Sequence, residues 1–218
     1  VSVGMAPSTA SVLGVPFINA MRESYPDVRL HLVESLSGNL ERMINTRQLD
    51  LAIVFQQEKI LRWSARPVLE ERLFLIGTHA LLAPLQEDHI SPDQLTSLPL
   101  IMPSQGHGLR GRLEAVCQQH HLSVEVVADI DGLALLMQAV RSGLGATLQP
   151  GAAISHLDHQ ALRVIDVVNP ILSRPNFLVS LSDDELTPAG LAARVILSKV
   201  MRQLVESDRW PGATLYAH

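Results

Sequence analysis

Two hydroxyl-bearing turns are the parts of this chain best suited to chemistry. Pro7-Ser8-Thr9 follows the apolar run Val1-Ser2-Val3-Gly4-Met5 and precedes a helical pattern. A helix start leaves backbone N–H groups unpaired, so the hydroxyls of Ser8 and Thr9 beside them make a site for an anion. The competing reading is that one of the two merely caps the helix. Ser104-Gln105-Gly106-His107-Gly108 repeats the arrangement later in the chain, with Leu109 next in line. Its glycines let the backbone approach a ligand closely; a plain glycine turn is the alternative. A carboxylate or sulfonate held by these helix starts is the chemistry the pair suggests. Phe55 ends an apolar run and offers a ring for stacking on an aromatic ligand, or else ordinary core packing.

Catalysis finds little support. No Lys-Ser or Lys-Thr follows the glycines, so the second turn is not a phosphate loop. No Ser/His/Asp order or Cys/His pair stands in a plausible place, and an enzyme is not expected, although an α/β fold alone would permit one. His120-His121, with Cys117 one helical turn before His121, invites a metal reading. Adjacent histidines point to different faces of a helix, however, and Cys117 lies on an apolar stripe. Without an HExxH string or a second cysteine, neither metal nor cofactor is expected.

Elements must hold these turns in place, and the composition allows them. The 218 residues are 47% hydrophobic and 18% charged, the balance of a folded protein with a large core. Net charge is −5, from 17 basic and 22 acidic residues, with no basic run. Nucleic-acid binding by this chain alone is therefore not expected, because phosphate contacts need clustered Lys and Arg. The single Cys117 rules out an internal disulfide and fits a reducing compartment. No stretch approaches the roughly 18 apolar residues of a membrane helix, so no membrane partner is expected. The chain opens on a strand without methionine or leader, as a domain cut from a longer protein would.

Strand and helix patterns alternate, the mark of parallel α/β architecture. Strands are predicted over 1–5, 28–34, 51–55, 72–77, 100–101, 124–128, 164–168 and 177–181. Leu13, Phe17, Ile18 and Met21 recur at helical spacing until Tyr25-Pro26, with Pro16 inside the pattern. Leu40, Met43 and Ile44 mark a helix stopping near Arg47. Leu109, Leu113, Val116 and Cys117 give a third stripe, and Leu133, Leu136, Ala139 and Val140 a fourth, closed by Gly143. Thr187-Pro188 opens the last helix, whose stripe runs from Leu191 to Val205. An exposed apolar face on the first helix (Leu13, Phe17, Met21) and on helices of the second half would favour self-association.

In this order, the strings resemble the effector-binding domain of LysR-type transcriptional regulators. The matching pieces are the opening strand with Ala6-Pro7-Ser8-Thr9, the exit Tyr25-Pro26-Asp27-Val28, and Glu34-Ser35. Gln48-Leu49-Asp50-Leu51-Ala52-Ile53, Leu69-Glu70-Glu71-Arg72-Leu73, the 141–150 string and Leu186-Thr187-Pro188-Ala189 complete them. Gly4-Met5-Ala6-Pro7-Ser8-Thr9-Ala10 is most similar to the nitrogen-assimilation and aromatic-degradation branches. Gln149 departs from the family, which more often has an apolar residue there; it either adds a polar group near the cleft or faces solvent.

The resemblance implies an α/β fold of two Rossmann-like lobes joined by two crossing strands, like type 2 periplasmic binding proteins. Lobe one would hold residues 1–73 and 175–218, and lobe two 74–174, with a winged helix-turn-helix expected ahead of this chain. A small anionic effector, aromatic if Phe55 stacks on it, would bind between the lobes, with Ser37 and Phe55 joining Ser8, Thr9, Ser104, His107, Gly108 and Leu109. It further implies a cytoplasmic homodimer or homotetramer that touches DNA only through the missing N-terminal domain. The alternative is a secreted solute-binding protein of the same fold.

Overall fold

A computed structural model describes residues 1–55, 63–105, 108–154 and 161–216. The chain runs through β1 (Ser2–Met5), α1 (Pro7–Ser24), β2 (His31–Glu34), α2 (Ser37–Asn45), β3 (Leu51–Val54) and the long β4 (Ser64–Thr78). Then come β5 (His89–Ile90), a 3₁₀ helix (Pro92–Ser97), β6 (Pro99–Met102), α3 (Gly108–Gln119), β7 (Glu125–Asp129) and α4 (Leu133–Arg141). The last elements are β8 (Thr147–Pro150), the single-turn α5 (Gly151–Ile154), β9 (Leu162–Val167), β10 (Ser173–Ser180), α6 (Pro188–Glu206) and β11 (Ala213–Leu215). The architecture is α/β, two Rossmann-like lobes joined by two crossing strands. One compact unit holds 1–71 and 175–218, the other 72–174, and the chain passes between them within β4 and again within β10.

In unit 1, β2, β1 and β3 are parallel neighbours, and β10 runs antiparallel to β3. The first half of β4 pairs with β11, Leu69 against Leu215. Leu51 to Val54 are buried along the whole of β3, as a strand covered on both faces requires. Leu13, Phe17 and Met21 are buried as well, which overturns the expected exposed face on α1. The apolar side chains that do face solvent there are Val15, 67% exposed, and Tyr25 at the helix exit. Pro16 lies inside α1, where it lacks the N–H that would bond the Val12 carbonyl.

Two of the family-like strings, residues 48–53 and 141–150, are structural joints. Asp50 accepts the Ser2 N–H at 2.7 Å while its own N–H donates to the Ser2 carbonyl, which ties the start of β3 to β1. Gly4 lies beneath this joint: a Cβ there would meet Leu49 Cδ1 at 2.5 Å. In the 141–150 string, Gly143 takes φ +81° behind α4, the left-handed conformation expected of a glycine stop. A Cβ on Gly145 would lie 2.7 Å from the Pro99 carbonyl oxygen. That closeness lets Ala146 donate to Pro99 at 2.8 Å and accept from Ile101 at 2.7 Å, which joins the approach of β8 to β6.

In unit 2, the second half of β4 pairs antiparallel with β8 and β9, β5 runs parallel to β9, and β6 and β7 form a parallel pair. Leu109, Leu113 and Cys117 of α3 enter the core beside Leu75, Leu100 and Ile165. Gln149 is buried, its amide 3.4 Å from Thr147 Oγ1, so it does not face solvent. The strand predicted over 28–34 contracts to His31–Glu34, and the one over 72–77 grows to Ser64–Thr78.

Candidate functional site

In unit 1 the three parallel strands end on one edge of the sheet. Met5 of β1 stands level with Glu34 of β2, and Ser35 donates to the Met5 carbonyl at 3.2 Å, so the two following turns run side by side. Each turn feeds a helix at once. The N-cap of α1 is Ala6 and that of α2 is Leu36, neither of which offers a side-chain cap. No acidic residue stands in either first turn. Two helix N-termini, each with partial positive charge and orphan N–H groups, therefore share this edge.

The hydroxyls fill the same place. Ser8 and Thr9 lie in the first turn of α1 behind Pro7, and Ser37 opens α2. Since the N-cap is Ala6, neither Ser8 nor Thr9 serves as the helix cap. Thr9 is fully buried and Ser37 is 7% exposed, yet Thr9 Oγ1 and Ser37 Oγ have no hydrogen-bond partner among the described residues. An unmet buried hydroxyl costs about 1–3 kcal/mol. Two of them at two uncapped helix starts leave this edge short of a hydrogen-bond partner. Ser8 is buried too, and its carbonyl accepts from Ser11 Oγ at 2.6 Å. Phe55, just past β3 on the same edge, is buried, which leaves it little open ring surface.

Unit 2 repeats the plan with different electrostatics. Its parallel strands β6 and β7 end together and lead to the starts of α3 and α4. Here, however, the Ser104 N–H donates to Asp131 Oδ1 at 2.9 Å, so a protein carboxylate already occupies the position an anion would take. Asp129 is beside it, paired with Arg110 at 3.2 Å, and Arg110 also holds Glu114 at 2.7 Å. Gly108 is the first residue of α3 and the Leu109 side chain is in the core. Gly106 and His107 lie outside the described residues.

The remaining sequence candidates differ in exposure. Burial pushes the Cys117 thiol up, Glu114 adds to that and Arg110 opposes it. His120 and His121 stand exposed beyond the end of α3. Sequence reasoning missed Asp131, whose role shows only once β6 and β7 are paired. It also missed a buried carboxylate in unit 1, Glu71, which accepts from Trp210 Nε1 at 2.9 Å and from Asn176 Nδ2 at 3.4 Å. No local pattern marks that trio. With their hydroxyls unmet, Thr9 and Ser37 are in a position to donate hydrogen bonds to a ligand at this edge of unit 1.

The LysR substrate binding domain family model matches residues 1–202. The nitrogen assimilation regulatory protein nac of Escherichia coli K12 is 28% identical over 220 residues, which cover 96% of this chain and 68% of that protein. The CcmR regulatory domain of Synechocystis PCC6803, solved in complex with 2-PG, superposes with a TM-score of 0.81 at 17% identity, covering 94% of this chain and 98% of that one. The effector binding domain of QuiR in complex with shikimate gives 0.80 at 14% identity, covering 93% and 97%. The curated relative is a regulator rather than a secreted binding protein. With the family pattern running through nearly the whole chain, the protein belongs to the LysR substrate binding domain family and is the effector-binding domain of a LysR-type transcriptional regulator.

Proposed function

We propose that this domain senses a small organic anion through the helix starts of unit 1, with Thr9 and Ser37 as its hydroxyl donors and Ser8 beside them. The observation that carries this is the pair of buried hydroxyls without partners at two uncapped helix N-termini. An anionic group there would satisfy both hydroxyls and the orphan N–H groups at once. Shikimate, bound by QuiR, is itself a carboxylate, which supports the same chemistry here. Ser104, His107, Gly108 and Leu109 are the contacts proposed for unit 2, with the Asp131 carboxylate favouring a hydroxyl or ammonium group of the ligand at that end. Phe55 contributes packing more than stacking.

The domain acts in the cytoplasm by binding, not by catalysis, as lobes 1–73 with 175–218 and 74–174. Effector shifts the population of its conformers, and the full-length protein's DNA contacts change in response. Assembly into a homodimer or homotetramer uses the solvent-facing apolar side chains Val15 and Tyr25 of unit 1 and Val127 and Leu135 of unit 2. Val15→Asp with Leu135→Asp should then reduce the sedimenting species to monomer; an unchanged dimer rejects these surfaces. The function itself is tested by a thermal-shift panel of carboxylates, sulfonates and inorganic anions, each hit repeated on Thr9→Val/Ser37→Ala. Hits of equal strength on that variant would refute the helix-start site.

A further inference from the structure

Unit 1 carries a concave surface that shares no residue with the helix starts. A groove of about 740 Å³ runs along one face of α6, beside β11 and the segments of β4 and β10 that belong to unit 1. Four of its ten lining residues are cationic: Arg66, Arg194, Lys199 and Arg202. Five more are apolar, Pro67, Val68, Leu178, Val195 and Leu215, and the tenth is Ser198. Among the described residues no acidic side chain lines it, although the chain as a whole has a net charge of −5.

The four cations differ in what they still have to offer. Arg194 is held by Asp183 at 2.6 Å and by Ser180 Oγ at 3.2 Å, which fixes its position and partly neutralises it. Arg202 reaches Glu206 only at 3.8 Å, an exposed pair. Arg66 and Lys199 have no ion pair among the described residues, so two full positive charges flank the groove uncompensated. Val195, which lines it, is 63% exposed.

This lining selects its ligand by exclusion. An inorganic anion would satisfy the cations and leave the apolar half wet. A neutral hydrocarbon would cover the apolar half and desolvate the cations without a counter-charge. The volume falls within the roughly 300–1,000 Å³ of small-molecule pockets. We propose that the groove binds an amphipathic organic anion, a carboxylate or sulfonate with a hydrocarbon body. Lys199 and Arg66 hold its charge, and Val68, Leu178, Val195 and Leu215 carry its body. The domain thus has two anion sites of different character, a polar one at the helix starts and an amphipathic one on α6.

The test is an NMR titration of the ¹⁵N-labelled 218-residue chain with sodium octanoate, with 1-octanol and sodium phosphate as controls. Octanoate should give saturable shifts at the amides of Val195, Lys199 and Leu215, and neither control should. Arg66→Gln with Lys199→Gln removes two exposed cations and should weaken octanoate by about tenfold. Thr9→Val/Ser37→Ala should leave it unchanged, which keeps the outcome separate from that of the helix-start site. Absence of saturable shifts, equal shifts with phosphate or octanol, or full octanoate affinity in the Arg66/Lys199 variant would overturn the proposal. Both substituted side chains are exposed, and the spectrum of each variant reports its fold directly.

Discussion

Replacing Thr9 by valine separates the binding reading of the helix-start site from a structural one. The two side chains have nearly the same shape, so the change removes the hydroxyl and little else. In the ligand-free domain that hydroxyl is fully buried and bonds to nothing described, so the folded state bears its desolvation without return. The penalty is about 1–3 kcal/mol. Valine and threonine have similar helix propensities, so the backbone contributes little difference. We expect Thr9→Val to raise ligand-free stability by about 1 kcal/mol, or Tm by about 2–4 °C for a chain of this size. The same substitution deletes a hydrogen bond to a charged ligand, worth about 1.5–3 kcal/mol, and should weaken effector binding by about tenfold or more. Thr187→Ala is the control. Thr187 caps α6 and accepts the Gly190 N–H at 3.1 Å, so losing that hydroxyl should cost about 1 kcal/mol. Urea unfolding of the three proteins, with and without the strongest thermal-shift hit, gives both numbers. A Thr9→Val variant that is less stable without ligand, or that binds the hit as well as the parent, would refute the reasoning.

Further substitutions and one alkylation probe the scaffold. Gly145→Ala drives a Cβ to 2.7 Å from the Pro99 carbonyl oxygen and should cost at least about 2 kcal/mol in urea unfolding, whereas Gly111→Ala, in open space within α3, should stabilise by up to about 1 kcal/mol. Trp210→Phe removes a 2.9 Å hydrogen bond to the buried Glu71 carboxylate and should cost about 2–3 kcal/mol. In a Glu71→Gln background the cost should shrink, and a purely additive double-mutant cycle would exclude the pairing. Cys117 should resist iodoacetamide at neutral pH until the domain unfolds, since burial raises its thiol pKa. A thiol whose folded pKa lies above its unfolded one contributes stability below the unfolded value, and that contribution falls away as pH rises through the folded pKa. Stability of the parent should therefore drop in alkaline solution more than that of Cys117→Ala, as pH-dependent urea melts would reveal.

The local pattern of residues determined most of the elements, because apolar periodicity, glycine stops and proline starts act within a few residues of one another. Thr187-Pro188 opens α6 with the cap its residue types dictate, Gly143 ends α4 with a positive φ, and the continuous run from Leu51 is a strand buried on both faces. Elements of a few residues, such as β5, α5 and β11, escaped because a period needs more length than they have. The site was legible in outline: Pro7-Ser8-Thr9 could be placed at a helix start from sequence. What only the tertiary structure decided is which polar atoms find partners. Asp131 reaches Ser104 across 27 residues, and Glu71 reaches Trp210 across 139. Thr9 and Ser37 reach nothing described, and the cations of Arg66 and Lys199 gather on one apolar groove. Hydrogen bonding and charge pairing are fixed through space, between strands and helices that the chain brings together only on folding, so no local window of the sequence contains them.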